Sequence, residues 1–534
     1  MTDKQTGAAV PRAATGILAG LVLAVSMTTI DQTIVALSGP SIQDHLAISH
    51  NSLQWAVNVY LLTTAAFFLL GGRLADVIGH KRMAVIGVAG FGVTSLLCGL
   101  APQGSFAEGW LIAARALQGV SGALMFPAAI GIVVQTFPQE RRGRAMAAFF
   151  AITGGMTAIG PIAGGYLTQW TWRSIFWINV PIAIAALIMI IRMVPRSAGR
   201  AESIDWRGAS IAAVAMGLLV FALQQAGAWG WSSPAVWACL LVGAALLALF
   251  AGIERRTVHP LADLRVFRDR RFTISTLATF FSSVAFITVF FFLSVYGQVS
   301  LGLSASDTGL LFLKLFIGFA VASRLGAVRF DRVGARSVFL VGGVVGAFGF
   351  GWFAHTMTDL DFDAGAFFNQ QTWPIVVAGA GVGFMYSAAT TDVLNRAIGS
   401  SYGEVSAISQ TMKNFGGALG LAVFATLVTN RLTSRLVDSF HGFGASTADA
   451  KGAVDAITGA EGSSQLSGVP AQTRAAVLHA VRTDYASAAQ GAFYGIAAAM
   501  AVLILLALCY PSEPASRPAP AQEPSPGPAA GKLS

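Results

Sequence analysis

A short charged motif occurs twice in the chain, as GGRLADVIGHKR at Gly71–Arg82 and as RLGAVRFDRVGAR at Arg324–Arg336. Each copy joins two long apolar segments and carries an acidic residue, a glycine and a basic residue in the same order. The matching pairs are Asp76 with Asp331, Gly79 with Gly334, and Lys81 with Arg336. A charged turn that is repeated between apolar segments indicates two homologous halves, and paired halves are typical of membrane transporters.

The composition excludes an ordinary water-soluble protein. Of the 534 residues, 55% are hydrophobic and only 11% are charged, whereas soluble domains are about 25% charged. The three cysteines lie in or beside apolar segments and are interpreted as packing residues, because their spacing favours neither a zinc site nor a disulfide framework. The net charge of +9 lies mostly in short loops on one side of the membrane, so it predicts orientation and no nucleic-acid partner.

Apolar runs that are long enough to cross a membrane recur along the whole chain. A helix needs about 20 apolar residues to span about 30 Å of hydrocarbon. The fourteen runs that meet this length are centred near residues 26, 62, 92, 122, 155, 184, 216, 243, 284, 316, 346, 384, 417 and 498. We therefore predict an all-α polytopic membrane protein with 14 transmembrane helices, numbered as spans 1 to 14.

The charge of the loops predicts how these spans are oriented. The loops that follow spans 2, 4, 6, 8, 10 and 12 carry twenty basic residues, whereas the short loops on the opposite side carry only Arg173. Because basic loops stay in the cytoplasm, we predict a multi-pass protein of the cell (inner) membrane with cytoplasmic N- and C-termini.

The repeat also predicts how the spans are grouped. Its copies follow spans 2 and 10, an offset of eight, so two inserted helices must separate two pseudo-symmetric six-helix bundles. The predicted units are an N-terminal bundle at 1–195, the inserted helices with a basic linker at 196–271, a C-terminal bundle at 272–510 with an external loop at 431–484, and a tail at 511–534. The tail is rich in Pro and Ala, a composition that predicts disorder.

Three further patterns occur on particular spans, in addition to the repeated loop motif. They are DQTIVALSGPSI at Asp31–Ile42 in span 1, RALQGVSGALMFP from Arg115 in span 4, and GPIAGG at Gly160–Gly165 in span 5. In this order the four patterns resemble the major facilitator superfamily, in its fourteen-span drug/proton antiporter branch. The resemblance covers essentially all spans, and it implies a multidrug or antibiotic exporter that uses the proton gradient as its energy source and needs no cofactor.

Asp31 and Arg115 are the candidate residues for proton coupling. Asp31 lies well inside span 1, where an ionised carboxylate is costly and usually marks a functional site. Burial raises the pKa of a carboxylate and a nearby cation lowers it, so such a group can bind and release a proton as its surroundings change. Arg115 stays charged and is the expected neighbour, and the resemblance implies that it takes part in coupling. The alternative is a fixed ion pair that only joins helices.

Two sets of residues are candidates for gating. In the loop motif, carboxylates near helix ends can pair with arginines and hold the bundles together on the cytoplasmic side. In span 5, small residues and a proline give a smooth helix that is expected to slide against its partner from the other half. The candidates are Arg73, Asp76, Arg82, Asp331, Arg332, Gly160, Pro161, Gly164 and Gly165. The alternatives are membrane orientation for the loop residues and ordinary tight packing in span 5.

Lys314 in span 10 and Lys413 in span 13 are unexpected, because an isolated ammonium group in an apolar helix is costly. Either lysine could bind a proton, bind an anionic substrate group, or extend its amine to the membrane interface. Asp31 is the only carboxylate expected deep in the membrane, so neutral or weakly acidic aromatic compounds are favoured over dications as substrates. Further candidates for the substrate or proton site, for which packing is the alternative, are Trp55, Asn58, Tyr60, Phe286 and Tyr296.

We therefore predict a proton-coupled antiporter that exports hydrophobic, aromatic drugs or antibiotics and confers resistance. Its expected partners are a small hydrophobic molecule, protons and the lipid bilayer, and an adaptor protein is left open. Proton symport or facilitated transport of a small organic nutrient or metabolite is the alternative. An enzyme is disfavoured because no catalytic set of His, Ser and carboxylate residues lies at membrane depth, and an ATP-driven pump because the sequence has no GxxxxGK loop. A non-transporting sensor is left open.

Overall fold

The computed structural model describes residues 12–48, 50–168, 170–196, 199, 204–257, 260–261, 264–303, 305–360, 368–396, 402–442 and 471–511. In these ranges the chain forms helices and no strands. The helices are α1 (Arg12–Leu37), α2 (Gly39–Leu46), α3 (His50–Ile78), α4 (His80–Gly99), α5 (Ala107–Thr136), α6 (Gln139–Leu167), α7 (Ser174–Trp177), α8 (Asn179–Met193), α9 (Trp206–Trp229), α10 (Pro234–Glu254), α11 (Arg270–Val295), α12 (Ala305–Val333), α13 (Ala335–Thr356), α14 (Thr372–Asn395), α15 (Tyr402–Gly442) and α16 (Ala471–Cys509).

The predicted spans correspond to these helices one for one. Spans 1 to 14 are, in order, α1, α3, α4, α5, α6, the pair α7–α8, and α9 to α16. Within the described ranges, thirteen of these segments are long and apolar enough to cross a membrane. The remaining one, span 5, corresponds to α6, a helix of 29 residues. The predicted all-α polytopic membrane fold is confirmed.

Two sets of helices repeat the same pattern of neighbours. The first set comprises α1 and α3 to α8, and the second comprises α11 to α16. In the first set α3 packs on α5, α4 on α5, α1 on α6, and α4 on α8; in the second set α12 packs on α14, α13 on α14, α11 on α15, and α13 on α16. Each pair in one set is related to its counterpart by a shift of eight spans, which is the offset of the sequence repeat. Buried apolar residues form a large core in each set.

The two bundles meet along two seams that the repeat also relates. One seam is formed by α3 and α15, and the other by α6 and α12. The inserted helices α9 and α10 pack on each other, and α9 also contacts both α3 and α15. Trp55 of α3 stacks on Phe221 of α9 with ring centroids 5.6 Å apart, and Trp231 donates a hydrogen bond of 2.9 Å to Thr426 of α15. The inserted pair therefore covers one seam of the interface.

The repeated motif forms the same turn in both bundles. Gly79 separates α3 from α4 with φ of 103°, and Gly334 separates α12 from α13 with φ of 84°. These angles lie in the region that glycine adopts readily and other residues rarely do. Each glycine N–H closes the preceding helix, Gly79 on the carbonyl of Ala75 at 3.0 Å and Gly334 on that of Phe330 at 2.9 Å. The side of the membrane on which both turns lie is called the basic side below.

The helices extend into two segments that were predicted as an external loop and as a basic linker. Within the external loop predicted at 431–484, α15 continues to Gly442 and α16 begins at Ala471; residues 443–470 lie outside the described ranges, as does the tail from 512. With 41 residues, α15 is about 60 Å long, so it extends past the hydrocarbon. An apolar run ends at its first charged residue, whereas a helix does not, because Arg and Lys favour helices. The second bundle likewise begins at Arg270 with α11, two residues before the predicted boundary.

Candidate functional site

An ion pair between α1 and α5 lies in the interior of the first bundle. The guanidinium Nη1 of Arg115 contacts carboxylate Oδ2 of Asp31, and the two side chains are 1% and 0% exposed. Arg115 also donates through Nε to the backbone carbonyl of Ala56 on α3, at 3.3 Å. The structure thus places the two predicted proton-coupling residues in direct contact.

Gln118 completes this network from one turn further along α5. Its Oε1 accepts a hydrogen bond of 2.7 Å from Nη1 of Arg115, and its Nε2 donates one of 3.1 Å to Oδ1 of Asp31. The same Nε2 lies 2.7 Å from Oγ of Ser95 on α4, which also receives a 3.3 Å hydrogen bond from Asn179 of α8. Arg115 and Gln118 of α5 therefore engage both oxygens of the Asp31 carboxylate, and Ser95 of α4 links Gln118 to Asn179 of α8.

Tyr60 belongs to this network and does not line an open site. Its ring centroid lies 4.4 Å from Cζ of Arg115, a cation–π distance, and its hydroxyl lies 3.5 Å from the carbonyl oxygen of Thr28. Tyr60 is fully buried. Tyr60 was predicted as a candidate for the substrate or proton site, and the structure places it against the guanidinium group of Arg115.

The other aromatic candidates on α3 and α11 lie in different surroundings. Trp55 of α3 stacks on the inserted helix α9, as described above. Asn58, also on α3, is half-buried. Tyr296 donates a hydrogen bond of 2.9 Å to the carbonyl of Met357 and accepts one of 2.7 Å from Gln371. Tyr296, which directly follows α11, therefore joins the end of that helix to the segments that flank α13 and α14 on the side opposite the basic side.

Phe286 lies in an aromatic cluster that extends across the bundle interface. Its ring centroid is 4.8 Å from that of Tyr386 on α14 and 5.5 Å from that of Phe319 on α12. Tyr386 in turn contacts Phe150 of α6, in the first bundle, at 6.4 Å. We call Phe150, Phe286, Phe319 and Tyr386 the interface aromatic cluster. Phe150 and Tyr386 were not predicted, because in the sequence they are ordinary residues of apolar runs.

The two membrane lysines have different partners. Lys413 is 5% exposed and its Nζ lies 4.4 Å from the ring centroids of both Phe150 and Tyr386. Lys314 is also buried, and its Nζ donates a hydrogen bond of 3.1 Å to Thr372 at the start of α14. Both amines are buried inside the protein. Lys413 lies between the bundles, whereas Lys314 lies within the second bundle.

The predicted gating residues of the loop motif are not equivalent in the two halves. Arg73 and Asp76 are buried, and Asp76 lies 3.4 Å from Nε2 of His80. Arg82, Asp331 and Arg332 are exposed. Lys81 donates to the carbonyls of Ile191 and Val194 at 2.8 and 2.6 Å, and so caps the end of α8.

Two small residues of α6, Gly160 and Gly164, lie against α1 of the same bundle. A Cβ atom at Gly160 would clash with Oγ1 of Thr33 on α1, and one at Gly164 would lie 3.0 Å from Cγ1 of Ile34. These glycines therefore fit α6 against α1, inside the same bundle, rather than against the other half. The close approach is possible because glycine has no side chain. Pro161 and Gly165 lie in the same continuous helix.

A second buried pair of a carboxylate and an arginine lies in the second bundle, near the end of α14. Asp392 of α14 is 3% exposed and forms an ion pair of 2.9 Å with Arg396. It also accepts hydrogen bonds from Ser275 of α11 and, at 2.8 Å, from the hydroxyl of Tyr510. Its i, i+4 spacing from Arg396 was a signal in the sequence. In the described ranges, no group of three or more His, Cys, Asp or Glu residues could hold a metal ion.

Paired bundles of membrane-spanning helices, with a buried charged network in one and aromatic residues between them, define a membrane carrier. Residues 21–421 match the family model of the Major Facilitator Superfamily. The chain therefore belongs to the major facilitator superfamily, a family of transporters, and is not an enzyme. The resemblance seen in the sequence is confirmed.

The relatives of this chain include resistance and export proteins. It is 34% identical over 422 residues to the puromycin resistance protein pur8 of Streptomyces alboniger, covering 78% of this chain and 82% of that protein. It is 32% identical over 418 residues to the tetracenomycin C resistance and export protein of Streptomyces glaucescens, covering 78% and 76%. Its fold is similar to that of the proton:xylose symporter XylE, with a TM-score of 0.58 and 14% identity over 84% of this chain and 95% of that one.

Proposed function

We propose that this chain exports small hydrophobic, aromatic molecules such as antibiotics across the cell membrane, in exchange for protons, and thereby confers resistance. Membership of the major facilitator superfamily supports transport, and the resistance and export proteins among its relatives support efflux. The observation that carries the proton-coupling part is the buried network of Asp31, Arg115 and Gln118.

The Asp31 carboxylate is suited to bind and release one proton per cycle. In its ionised form it is balanced by Arg115 and by the Gln118 amide. Protonation removes the negative charge, weakens the ion pair with Arg115 and leaves a neutral acid that is cheaper to keep in the membrane. The helices α1 and α5 are then less tightly joined, so proton binding is coupled to how the first bundle packs. Arg115 stays charged throughout and retains its contact with the ring of Tyr60.

The substrate site in this proposal lies at the bundle interface. The interface aromatic cluster takes rings from α6, α11, α12 and α14, so a planar compound would contact both bundles there. Aromatic side chains bind planar rings by stacking and edge contacts, and ligand pockets are lined mainly by apolar and aromatic groups. Rocking of the bundles about this position would open it to either side in turn, driven by the proton gradient and without a cofactor.

The orientation in this proposal has the basic side facing the cytoplasm. The loops that are rich in arginine lie there, together with both copies of the repeated motif. Arg73 and Asp76 are candidates for holding that side closed, with Arg82, Asp331 and Arg332 as candidates from the exposed part of the motifs. Release of substrate then occurs on the opposite side, where α1 ends six residues after Asp31.

The experiment is proton flux in everted membrane vesicles with an acidified lumen. A panel of neutral, acidic and cationic aromatic drugs that includes puromycin and tetracenomycin C is added, and the lumenal pH is followed by a fluorescent dye. We expect exported compounds to release protons from vesicles that contain the wild-type protein, and not from vesicles that contain Asp31→Asn.

Two results would contradict the proposal in different ways. Transport of a radiolabelled compound without any proton movement would remove antiport and leave a facilitator. Proton and compound moving in the same direction would establish symport, which is the alternative reading of the same fold. Vesicles that contain an Arg115→Gln variant serve as a second control, because that change removes the partner of Asp31 without removing the titratable group.

A further inference from the structure

Helix α15 carries a stripe of buried polar groups near its start. Ser406, Ser409, Gln410 and Lys413 are each at most 7% exposed. Within the part of the chain that the structure describes, Oγ of both serines, Oε1 of Gln410 and Nζ of Lys413 have no hydrogen-bond partner. We call these four residues the α15 polar stripe. Buried polar groups are nearly always hydrogen-bonded in proteins, so a set without partners needs an explanation.

The helical register brings these groups together. Ser409 and Gln410 precede Lys413 by four and three residues, and Ser406 precedes it by seven, so all four share one face of α15. Lys413 lies about 16 Å along the helix from its start at Tyr402, which is at membrane depth. The stripe is therefore a continuous polar surface inside the membrane.

The position of Lys413 is fixed by close packing of α15 on α11. The hydroxyl of Ser283 donates a hydrogen bond of 2.7 Å to the backbone carbonyl of Lys413. One turn further on, a Cβ atom at Gly416 would lie 2.5 Å from the carbonyl oxygen of Phe280, so the two helices approach as closely as glycine allows. A charged group on two rigid, closely packed helices is preorganised for binding, because little side-chain and backbone freedom is left to lose.

The ammonium group of Lys413 lies between aromatic rings of both bundles. Phe150 belongs to α6 of the first bundle and Tyr386 to α14 of the second, and each ring centroid is 4.4 Å from Nζ. Cation–π contacts offset only part of the cost of burying an ammonium group. Two buried carboxylates of the bundles are already engaged, Asp31 by Arg115 and Asp392 by Arg396. Within the described ranges, Nζ of Lys413 has no hydrogen-bond partner, so its charge is available to a group from outside the chain.

We propose that Lys413 and the α15 polar stripe form an anion subsite, which binds the carboxylate or phenolate of a planar aromatic substrate. This inference rests on the proposed export function and specifies its substrate class. The ammonium group pairs with the anion, the serine hydroxyls and Gln410 supply further polar contacts, and Phe150, Phe286 and Tyr386 pack against the ring system. Because the partners come from both bundles, a bound substrate contacts both halves of the carrier at once.

The same charge predicts which compounds the site rejects. An aromatic amine of the same shape would bring a second positive charge close to Lys413 in a medium of low dielectric constant, where repulsion is strong. A neutral analogue keeps the ring contacts and lacks the ion pair. The expected order of affinity is therefore acid, then neutral compound, then amine.

The test uses three fluorescent probes with one ring system: anthracene-9-carboxylate, 9-anthracenemethanol and 9-(aminomethyl)anthracene. Binding to the purified full-length protein is measured by fluorescence anisotropy. We expect the wild type to bind the acid at least about tenfold more tightly than the alcohol, since charge-assisted pairs in buried sites are strong. Lys413→Gln should lose that preference while it still binds the alcohol, Lys413→Arg should retain it, and Lys413→Glu should favour the amine.

The inference is overturned if the wild type binds acid and alcohol equally, or if Lys413→Gln keeps the preference for the acid. If Lys413→Gln binds neither probe, the Arg and Glu variants decide, because both keep a charged side chain and their charges are opposite in sign. Proton-driven export in vesicles is scored separately. If neutral drugs are exported but substitution of Lys413 does not change the binding of acids, the export function stands and the anion subsite is rejected. If binding depends on the charge at position 413 but no compound is exported, the anion subsite stands and the export function is rejected.

Discussion

The buried ion pair of Asp31 and Arg115 makes a direct prediction about single and double variants. Asp31→Asn leaves the Arg115 guanidinium buried without its anion, which costs about 3–5 kcal/mol when a buried pair is broken from one side. We therefore expect Asp31→Asn to lower the thermal unfolding midpoint of the detergent-solubilised protein as well as to abolish proton release. The midpoint is followed by intrinsic tryptophan fluorescence.

The double variant Asp31→Asn with Arg115→Gln separates these two effects. It removes both charges, so most of the lost stability should return while proton coupling stays absent. A double variant that is no more stable than Asp31→Asn alone would show that the pair does not hold the bundle together. A double variant that still couples protons would show that another group carries the proton.

Phe286 of α11 and Tyr296, which directly follows α11, should respond differently to substitution. Tyr296→Phe removes the hydrogen bonds to Met357 and Gln371, so we expect a loss of about 1–2 kcal/mol in stability and no change in substrate preference. Phe286→Ala should instead weaken binding of aromatic probes, because its ring lies in the interface aromatic cluster. The unfolding midpoint and the probe affinities are measured for both variants. A changed preference in Tyr296→Phe would place that residue back among the substrate contacts.

At the scale of single residues, the sequence predicts the pairing of Asp31 with Arg115 but not the side chains that surround the functional residues. A carboxylate and an arginine inside apolar spans are so costly that they must be neighbours, which is why Asp31 and Arg115 could be paired without a structure. The rings around Lys413 come from α6 and α14, and nothing in the local sequence marks Phe150 or Tyr386. For the same reason the sequence places Tyr60 among the candidates for the substrate or proton site without showing its contact with Arg115.

The packing of α6 on α1 makes a prediction that concerns the helix pair. Gly160→Val places a branched side chain where even a Cβ atom clashes with Thr33, so we expect a loss of about 1–3 kcal/mol and reduced transport. Gly155→Ala is the matched control in the same helix, because a Cβ atom there meets no described atom within 4 Å. Surface expression, the unfolding midpoint and drug efflux are compared. Equal behaviour of the two variants would contradict the close α1–α6 contact.

The two turns of the repeat should be equally sensitive to a side chain. Gly79 and Gly334 both have positive φ, so substitution by alanine should cost about 1 kcal/mol at either position. Gly351, at which a Cβ atom meets no described atom within 4 Å and whose φ is helical, is the control. Unfolding midpoints of the three alanine variants provide the comparison. If only Gly79→Ala lowers the unfolding midpoint, the glycine of the second copy of the motif is not required for stability.

At the scale of helices, the number and order of the elements follow from the sequence, and their ends do not. Span length and loop charge are set by the membrane, so they can be counted in the chain. The ends of α15 and α16 depend on helical stretches beyond the membrane, where Arg431 and Asp484 fit a helix as well as a loop. The partner of the α6 glycines depends on which face of α6 points inward, and the spacing of small residues does not specify that.

For the whole molecule, the orientation in the membrane can be tested by cysteine labelling. In a background without Cys98, Cys239 and Cys509, we introduce Phe106→Cys, at a residue 78% exposed between α4 and α5, or Arg268→Cys, on the basic side before α11. An impermeant maleimide should label Phe106→Cys in intact cells and Arg268→Cys only in everted vesicles. The reverse pattern would invert the predicted topology, and with it the direction of transport.

The arrangement of the halves was the part of the fold that the sequence predicted best. A motif that recurs eight spans later requires two bundles of equal size and an inserted pair, and the packing pattern of the helices follows that offset. The position of the inserted pair was not predictable, because its contacts with α3 and α15 depend on shape rather than on any repeated pattern.

The contact of α9 with both bundles has a mechanical consequence. The repeat makes the α3–α15 and α6–α12 seams equivalent, but in the described ranges α9 packs against both helices of the first seam and so braces it. When the bundles rock, α3 and α15 must slide against α9 as well as against each other. The α6–α12 seam has no such inserted helix packed across it in the described ranges, so α6 and α12 can separate towards the lipid. We therefore expect α6 and α12 to move apart more easily than α3 and α15. Phe150 and Phe319 of the interface aromatic cluster lie on these two more mobile helices.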